Sequence, residues 1–375
     1  MFDFVLPALG SDMEEGTLTD WLVKPGDEVD RGQAVATVDT VKAAVDVEIW
    51  QKGTVYKLLV EPGTAVSVGT AMASILEPGE SAPPAEPDRK PLQDRPELQR
   101  RVRVSPVARR EAEKLGIDPT SLSGTGPLSS VTLNDVLSAA QSSTAEPVET
   151  GVAGKAKEMR RAIAASMSRS KREIPHYYLT DRISLKAAVA WLESENAVRP
   201  VTERLLMAVL QLKAVALAAQ RFPEMNGFWQ SGEFQPRKSV HLGVAISLRD
   251  GGLVAPAIHD TADKSLGQLM IELMDLVARA RAGSMRSSEM SDPTLTVTNL
   301  GDQSVESVLG VIYPPQVALV GFGKATHQAW VDGGELCVHK VVTSSLAADH
   351  RASDGHRGAQ FLAAVGELLQ HPQDL

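Results

Sequence analysis

Residues 16–38, GTLTDWLVKPGDEVDRGQAVATV, can be laid on residues 53–75, GTVYKLLVEPGTAVSVGTAMASI, at an offset of 37 with no gap. A glycine, a threonine, a Leu-Val pair, a Pro-Gly pair, a valine, a second glycine and two alanines coincide. Two matching halves of a chain usually form two matching substructures. Each half shows strand-like alternation cut by a Pro-Gly turn, which predicts a small two-layer β-sandwich or barrel. The junction of the halves, residues 37–49, reads TVDTVKAAVDVEI. Val45, Val47 and Ile49 recur with period two, with Asp46 and Glu48 between them, the pattern of a strand that buries one face. Residues 34–38 read as its partner strand. Lys42 then sits at a hairpin tip, with no core for its stem to pack against. Under pseudo-two-fold symmetry the counterpart of that tip is where the chain enters and leaves the module. Lys42 is therefore expected to project from the end opposite the tether. A group attached there would be free to visit other sites, although an exposed lysine in a turn is ordinarily just solvated.

The module accounts for a small part of 375 residues, and two or three domains are expected for the whole. The net charge of −9 argues against nucleic acid as the main partner, because phosphate binding needs a clustered basic surface. The start, MFDFVLPALG, has neither a basic opening nor a long apolar run, so no signal peptide is expected. Residues 205–219 form the most apolar stretch, and it is too short to span a bilayer. A single cysteine, Cys337, rules out an intrachain disulfide framework and a cysteine-rich zinc site, and suits a reducing cytoplasm.

Residues 78–101 are rich in proline and charge without apolar periodicity, and read as an extended spacer. A second spacer, rich in Ser, Ala, Thr and Glu, is expected at 140–154. Between them, at 102–139, Ser105 is a candidate N-cap with Pro106 at the first helical position and Gly116 as the stop. A second helix start follows at Thr132, with Asp135 as the acidic half of a weak capping box. Two short helices around the loop 124–127 make a domain with a marginal core.

Residues 155–375 alternate helical and strand-like stretches. Buried or amphipathic helices are predicted at 202–222 and 265–281, the latter stopped by Gly283. Strands are predicted at 240–248, 253–258, 295–300, 317–322 and 338–346, so helices gathered on a mixed α/β sheet are the economical architecture. His350 and Asp354 fall where the last strand stops and a helix begins, a common position for catalytic groups on a rigid frame. A histidine and an aspartate at this spacing are, by themselves, better read as a structural ion pair or a core histidine.

The motifs taken together resemble a known family. Residues 1–77, with the turn Asp39-Thr40-Val41-Lys42-Ala43, resemble a lipoyl-binding carrier domain, whose turn usually reads Glu/Asp-Thr-Asp-Lys-Ala. Biotin carriers share that fold but usually set the lysine between methionines. Residues 102–139 resemble the peripheral-subunit-binding domain of 2-oxo acid dehydrogenase complexes. That family often carries arginines one helical turn apart and another after the glycine loop; here Arg109 is present, with Glu113 and Ser130 at the other two positions and Arg103, Arg110 and Lys114 nearby. The run DHRxxDG at 349–355 resembles the signature of dihydrolipoamide acyltransferases. TLTVTNLG at 294–301, Pro175-His176, FPEMNGFW at 222–229 and YPPQVALVGFGK at 313–324 add to that match. The resemblance covers all three modules in family order.

It implies an all-β lipoyl sandwich, a small α domain and a chloramphenicol-acetyltransferase-like catalytic domain. It also implies lipoate on Lys42, coenzyme A as cosubstrate, and two partner enzymes: a thiamine-dependent decarboxylating dehydrogenase and dihydrolipoamide dehydrogenase. Trimers assembling into a larger core would place His350 and Thr298 from neighbouring chains face to face. Moving an acyl group between thiols needs a base for the thiol proton and a donor for the tetrahedral oxyanion. An imidazole suits the first role, which points to His350. Thr298 stands where the family places a hydroxyl toward the oxyanion, and Asp354 orients the site or pairs structurally. His176 and His356 read as local hydrogen-bonding groups, and the basic stretch 154–172 either meets coenzyme A phosphates or is a solvated helix face. Acetyl is the expected acyl group. The competing reading is a lipoyl-bearing scaffold that recruits partners with weak or no transferase activity.

Overall fold

The offset of 37 reappears in the backbone. Gly26 and Gly63 have φ of +97° and +88°, and Gly32 and Gly69 have φ of +80° and +85°. Each pair ends a Pro-Gly or Xaa-Gly turn in a region that side chains avoid. The strands follow the same symmetry: β1 (Phe2–Val5), β2 (Glu15–Trp21), β3 (Glu28–Val29), β4 (Gln33–Asp39), β5 (Ala44–Ile49), β6 (Gly53–Leu58), β7 (Ala65–Ser67) and β8 (Ala71–Leu76). One sheet has the order β1-β8-β6-β3 and the other β5-β4-β2-β7, so each strand of one has its repeat-mate at the same place in the other. Their inner faces bury Leu18, Val38, Val45, Val47 and Ile75 in one core. The β4–β5 hairpin ladder ends at the pair Asp39 and Ala44. Its repeat-mate is where the chain enters and leaves, and there the Met1 ammonium pairs with Glu80.

The computed structural model describes residues 1–8, 13, 15–40, 44–78, 80, 105–115, 131–133, 136, 152–248, 252–301 and 303–375. Lys42, Val41 and Ala43 lie outside the described residues. So do Arg103, Gly116, the loop 124–127, Ser130, Asp135, the side chain of Glu113 and most of 78–101 and 140–154. Two compact units are present, one formed by 1–81 with 156–375, the other by 82–155.

In the smaller unit, α1 (Pro106–Leu115) starts as the sequence predicts, with Ser105 Oγ accepting from the Ala108 N–H at 3.2 Å. Among the described residues Ala108, Ala112, Val131 and Val136 pack together in its core, and the Ser105 N–H donates to the Val131 carbonyl at 3.0 Å.

The larger unit continues with α2 (Val152–Glu173), which opens inside the stretch read as a spacer, then β9 (His176–Ser184), α3 (Lys186–Val198) and α4 (Met207–Arg221). Next come β10 (Gly227–Gln230), β11 (Glu233–Pro236), β12 (Leu242–Val244), β13 (Ile246–Ser247), β14 (Leu253–Val254) and β15 (Ala257–Ile258). The chain ends with α5 (Leu266–Ala282), β16 (Ser284–Arg286), α6 (Ser287–Ser291), β17 (Leu295–Asn299), β18 (Ala318–Phe322), β19 (Thr326–Asp332), β20 (Glu335–Asp349) and α7 (Gly355–Gln370). The mixed sheet runs β15-β12-β17-β18-β20-β19, with β9 also on β20. β17 is parallel to β12 and β18, and β20 is antiparallel to β18, β19 and β9. Helix α4 is buried on nearly every face, including Gln211 and Lys213. The Lys213 ammonium is satisfied by the carbonyls of Ala262 and Lys264, each at 2.6 Å, while burial lowers its pKa. Helix α5 opens with a Ser265–Gln268 capping box and, as predicted, closes on Gly283, at φ +74°.

One expectation fails in an informative way. Alternation puts Glu48 on the polar face of β5, yet it is only 7% exposed, because residues 284–288 cover it.

Candidate active site

Strand β20 ends in a turn that is stapled on both sides of His350. Asp349 is fully buried and donates its backbone N–H to the Val317 carbonyl at 2.8 Å, while the His350 N–H donates to the Pro175 carbonyl at 3.0 Å. Arg351 grips the Asp349 carboxylate with Nε at 3.0 Å and Nη2 at 2.7 Å, and its guanidinium lies 4.6 Å from the centre of the Trp229 ring. A planar guanidinium can satisfy a buried carboxylate at two points and stack on an aromatic face at once. With its neighbours fixed, the His350 side chain is left exposed, and the Tyr177 ring meets it edge-on at 5.3 Å.

Asp354 caps α7, accepting from the Arg357 N–H at 2.9 Å. That bond holds its carboxyl below the usual range, with smaller contributions from His356 and His350. The tyrosine beneath His350 is itself positioned, its hydroxyl 2.8 Å from Ser353 Oγ. Gly358 leaves room for it, since a Cβ there would come within 2.8 Å of the Tyr177 hydroxyl. The FPEMNGFW stretch forms the bed of this turn: Glu224 pairs with Arg357, Phe222 stacks under the same guanidinium at 4.7 Å, and Trp229 supports Arg351.

His176 is placed quite differently. Its Nε2 accepts from the Ile312 N–H at 3.2 Å, so Nδ1 carries the proton and donates to the Ile174 carbonyl at 2.9 Å. Burial is the main cause of its lowered pKa. Both nitrogens are committed, which leaves no lone pair for a substrate proton. His356 is exposed beside Gln360, whose amide lies 3.1 Å from its Nε2. In the basic stretch, the Lys171 ammonium sits on Tyr178 and Arg169 pairs with Glu173 at 3.1 Å, so both have partners within the unit.

The structure does not bring Thr298 to His350 within one chain. Thr298 on β17 pairs with Gly321 on β18, and Gly321 pairs with Ser345 on β20. His350 lies five residues beyond Ser345, or about 17 Å along the strand, and two strand spacings of about 4.8 Å away across the sheet. Among the described residues the Thr298 hydroxyl has no hydrogen-bond partner. Beside Arg351 opens a cleft of about 600 Å³ bordered by Arg169, Trp229, Pro315 and Gln316. Sequence reasoning missed the supporting roles of Asp349, Tyr177 and Trp229. Asp349 and Trp229 lie in motifs marked in the sequence and Tyr177 directly follows Pro175-His176, but the packing that gives them work is not written in linear order.

Residues 150–375 match the family described as 2-oxoacid dehydrogenases acyltransferase (catalytic domain). The chain belongs to that family. Upstream in this acyltransferase, residues 3–75 match the biotin/lipoyl family described as biotin-requiring enzyme, and residues 102–137 match the e3 binding domain. The acyltransferase is 32% identical over 397 residues to the dihydrolipoyllysine-residue acetyltransferase component of the acetoin cleaving system of Bacillus subtilis, covering 99% of this chain and 98% of the relative. It is 29% identical over 443 residues to the corresponding component of the pyruvate dehydrogenase complex of Rhizobium meliloti, covering 100% of this chain and 99% of that one. Among solved structures it resembles a probable dihydrolipoamide acetyltransferase from Listeria monocytogenes, with a TM-score of 0.54 and 26% identity over 57% of this chain and 92% of that one. It is equally similar to the cubic core of a pyruvate dehydrogenase multienzyme complex, with a TM-score of 0.54 and 28% identity over 56% and 88% of the two chains. The expected order of lipoyl, partner-binding and catalytic modules is therefore that of the acyltransferase.

Proposed function

We propose that Lys42 carries lipoate and that His350 drives transfer of an acyl group, acetyl in the first instance, between that arm and coenzyme A. The observation that carries this reading is the exposed imidazole of His350, rigidly presented by the Asp349–Arg351 staple in a chain that also has a lipoyl-type hairpin. Lys42 lies in sequence between Asp39 and Ala44, the last pair of the β4–β5 ladder. When attached, the lipoyl group supplies the thioester whose acyl carbon is attacked. His350 takes the proton from the incoming thiol and returns it to the leaving sulfur, so no net acid or base is consumed. Thr298 donates its hydroxyl to the oxyanion that forms between these proton transfers. Asp354, held ionised by the α7 backbone, favours the imidazolium during the step.

The separation of Thr298 from His350 along one sheet supports an assembly in which each site takes one group from each of two neighbouring chains. Trimers within a larger core fit that need, as do a thiamine-dependent decarboxylating dehydrogenase that loads the arm and a dihydrolipoamide dehydrogenase that reoxidises it. The cytoplasm is the setting assigned to it, a reducing compartment that suits a chain with one cysteine. The test is acyl transfer from free acyl-dihydrolipoamide to coenzyme A with wild type and His350→Ala, together with intact mass of wild type and Lys42→Ala after incubation with a lipoylating enzyme. His350→Ala should lose about two to four powers of ten in kcat. Unchanged turnover would remove His350 from the role, and equal masses for modified and unmodified samples would remove lipoate from Lys42.

A further inference from the structure

The buried carboxylate of Glu48 has its partners some 240 positions away in the chain. The Glu48 N–H donates to Ser287 Oγ at 3.2 Å, and the Ser287 hydroxyl and the Ser288 N–H lie 3.3 Å and 3.2 Å from Glu48 Oε2 as its donors. Beside it, β16 runs parallel to β5, in the register Ser284 to Ala44, Met285 to Val45 and Arg286 to Asp46. This makes β16 the outer strand of the lipoyl sheet. Without it β5 would be a bare edge, with an unpaired row of N–H and C=O groups. Apolar contact continues past the ladder: Met285 is buried in the catalytic core, and Met290 packs against the lipoyl core and the catalytic core alike.

The catalytic side of this contact is rigid. Arg279 holds Glu289 at two points, each 2.6 Å, and Glu289 also accepts from the Arg286 N–H at 2.9 Å. That ties the turn between β16 and α6 to α5. The contact also lies at the working end of the sheet. Met290 and Pro293 precede β17 at the end where His350 follows β20, and one cleft there is lined jointly by Ala8, Met290 and Pro315. Its neighbour, the cleft beside Arg351, shares Gln230, Pro315 and Gln316 with it.

The geometry points to a docking site for the lipoyl domain of the same chain on its catalytic domain, made by strand addition of β5 to Ser284–Arg286 and latched by Glu48. Strand addition supplies main-chain hydrogen bonds, and Glu48 supplies selectivity, because only a partner that presents a hydroxyl and an N–H there can bury it. Ala44, two residues after Lys42 in sequence, is the first residue of β5 in this ladder, so docking holds the start of β5 against the catalytic domain. The inference needs the lipoyl fold and not the acyl chemistry of His350.

In the full chain with Cys337→Ser, Ala44→Cys and Ser284→Cys face each other across adjacent strands about 4.8 Å apart, within the Cα range of about 4.4–6.8 Å that a disulfide spans. Mild oxidation should give an intrachain disulfide in a monomer-sized band, and Glu48→Lys in that background should slow its formation about tenfold. Free thiols, disulfide-linked dimers, or a rate unaffected by Glu48→Lys would each overturn the proposal. Hydrogen exchange covers the case of a variant that fails to fold. Glu48→Lys should speed exchange at 44–48 and 284–288 while leaving the β2–β4 ladder protected, and transfer from free acyl-dihydrolipoamide should be unchanged. Equal protection of 284–288 in wild type and Glu48→Lys would also sink it.

Discussion

Two histidines near Pro175 have opposite work because their surroundings differ. His350 hangs its ring outside a stapled turn, whereas His176 spends both nitrogens on the backbone of Ile174 and Ile312. Protonating His176 would force Nε2 to face the Ile312 N–H as a second donor. Its folded pKa lies below the ordinary value, so the unfolded chain binds the proton first as pH falls. Stability from this group is therefore complete above an ordinary histidine pKa of about 6.5 and declines as pH drops below it toward the folded pKa. A melting-temperature profile from pH 7.5 to 5 should fall less steeply for His176→Gln than for wild type, and parallel profiles would contradict the assignment. Asp349 is a second case of placement by partners. Asp349→Asn removes the buried carboxylate that holds Arg351 at two points, and because the guanidinium left behind is open to solvent the loss should be about 1–3 kcal/mol, read as a lower denaturation midpoint. The same variant should lower kcat by loosening the His350 turn.

The paired strands of the lipoyl module make a prediction of their own. Gly32 and Gly69 occupy equivalent turns with φ of +80° and +85°, and a Cβ at either would meet open space. The cost of alanine there is thus backbone strain alone, about 1–2 kcal/mol at each position. Gly32→Ala and Gly69→Ala should lower the lipoyl transition by equal amounts in calorimetry; unequal losses would show that the two halves are not equivalent. This symmetry was legible because a repeat writes itself twice. The α5 stop was legible for a related reason, since Gly283 is a local signal. Strands such as β12 to β15 are only two or three residues long and fell inside longer apolar runs, too short to show a period. Helix α3 and strand β9 were missed because their faces are mixed, with exposure set by the neighbours they pack on. Glu48 was misjudged for the same reason: alternation tells which side faces the strand's own core, and nothing in it registers a second domain on the other side.

At the scale of the whole molecule, the separation between Thr298 and His350 decides what a functional unit is. A hydroxyl about 17 Å up the sheet and two strands across cannot reach an oxyanion held at His350 of its own chain. The proposed assembly would answer this with a head-to-tail ring of chains, in which each interface joins the His350 end of one chain to the Thr298 end of the next. Thr298→Ala alone should lose about two to three powers of ten in kcat, as loss of an oxyanion donor does. His350→Ala alone should lose a comparable amount. Unfolding the two inactive variants together in equal amounts and refolding them should restore activity, since an interface that takes its histidine from one parent and its threonine from the other is intact. Random assembly makes about one quarter of the interfaces intact, so the mixture should recover about a quarter of the wild-type rate. A site confined to one chain would recover nothing, because every polypeptide in the mixture carries one of the two lesions.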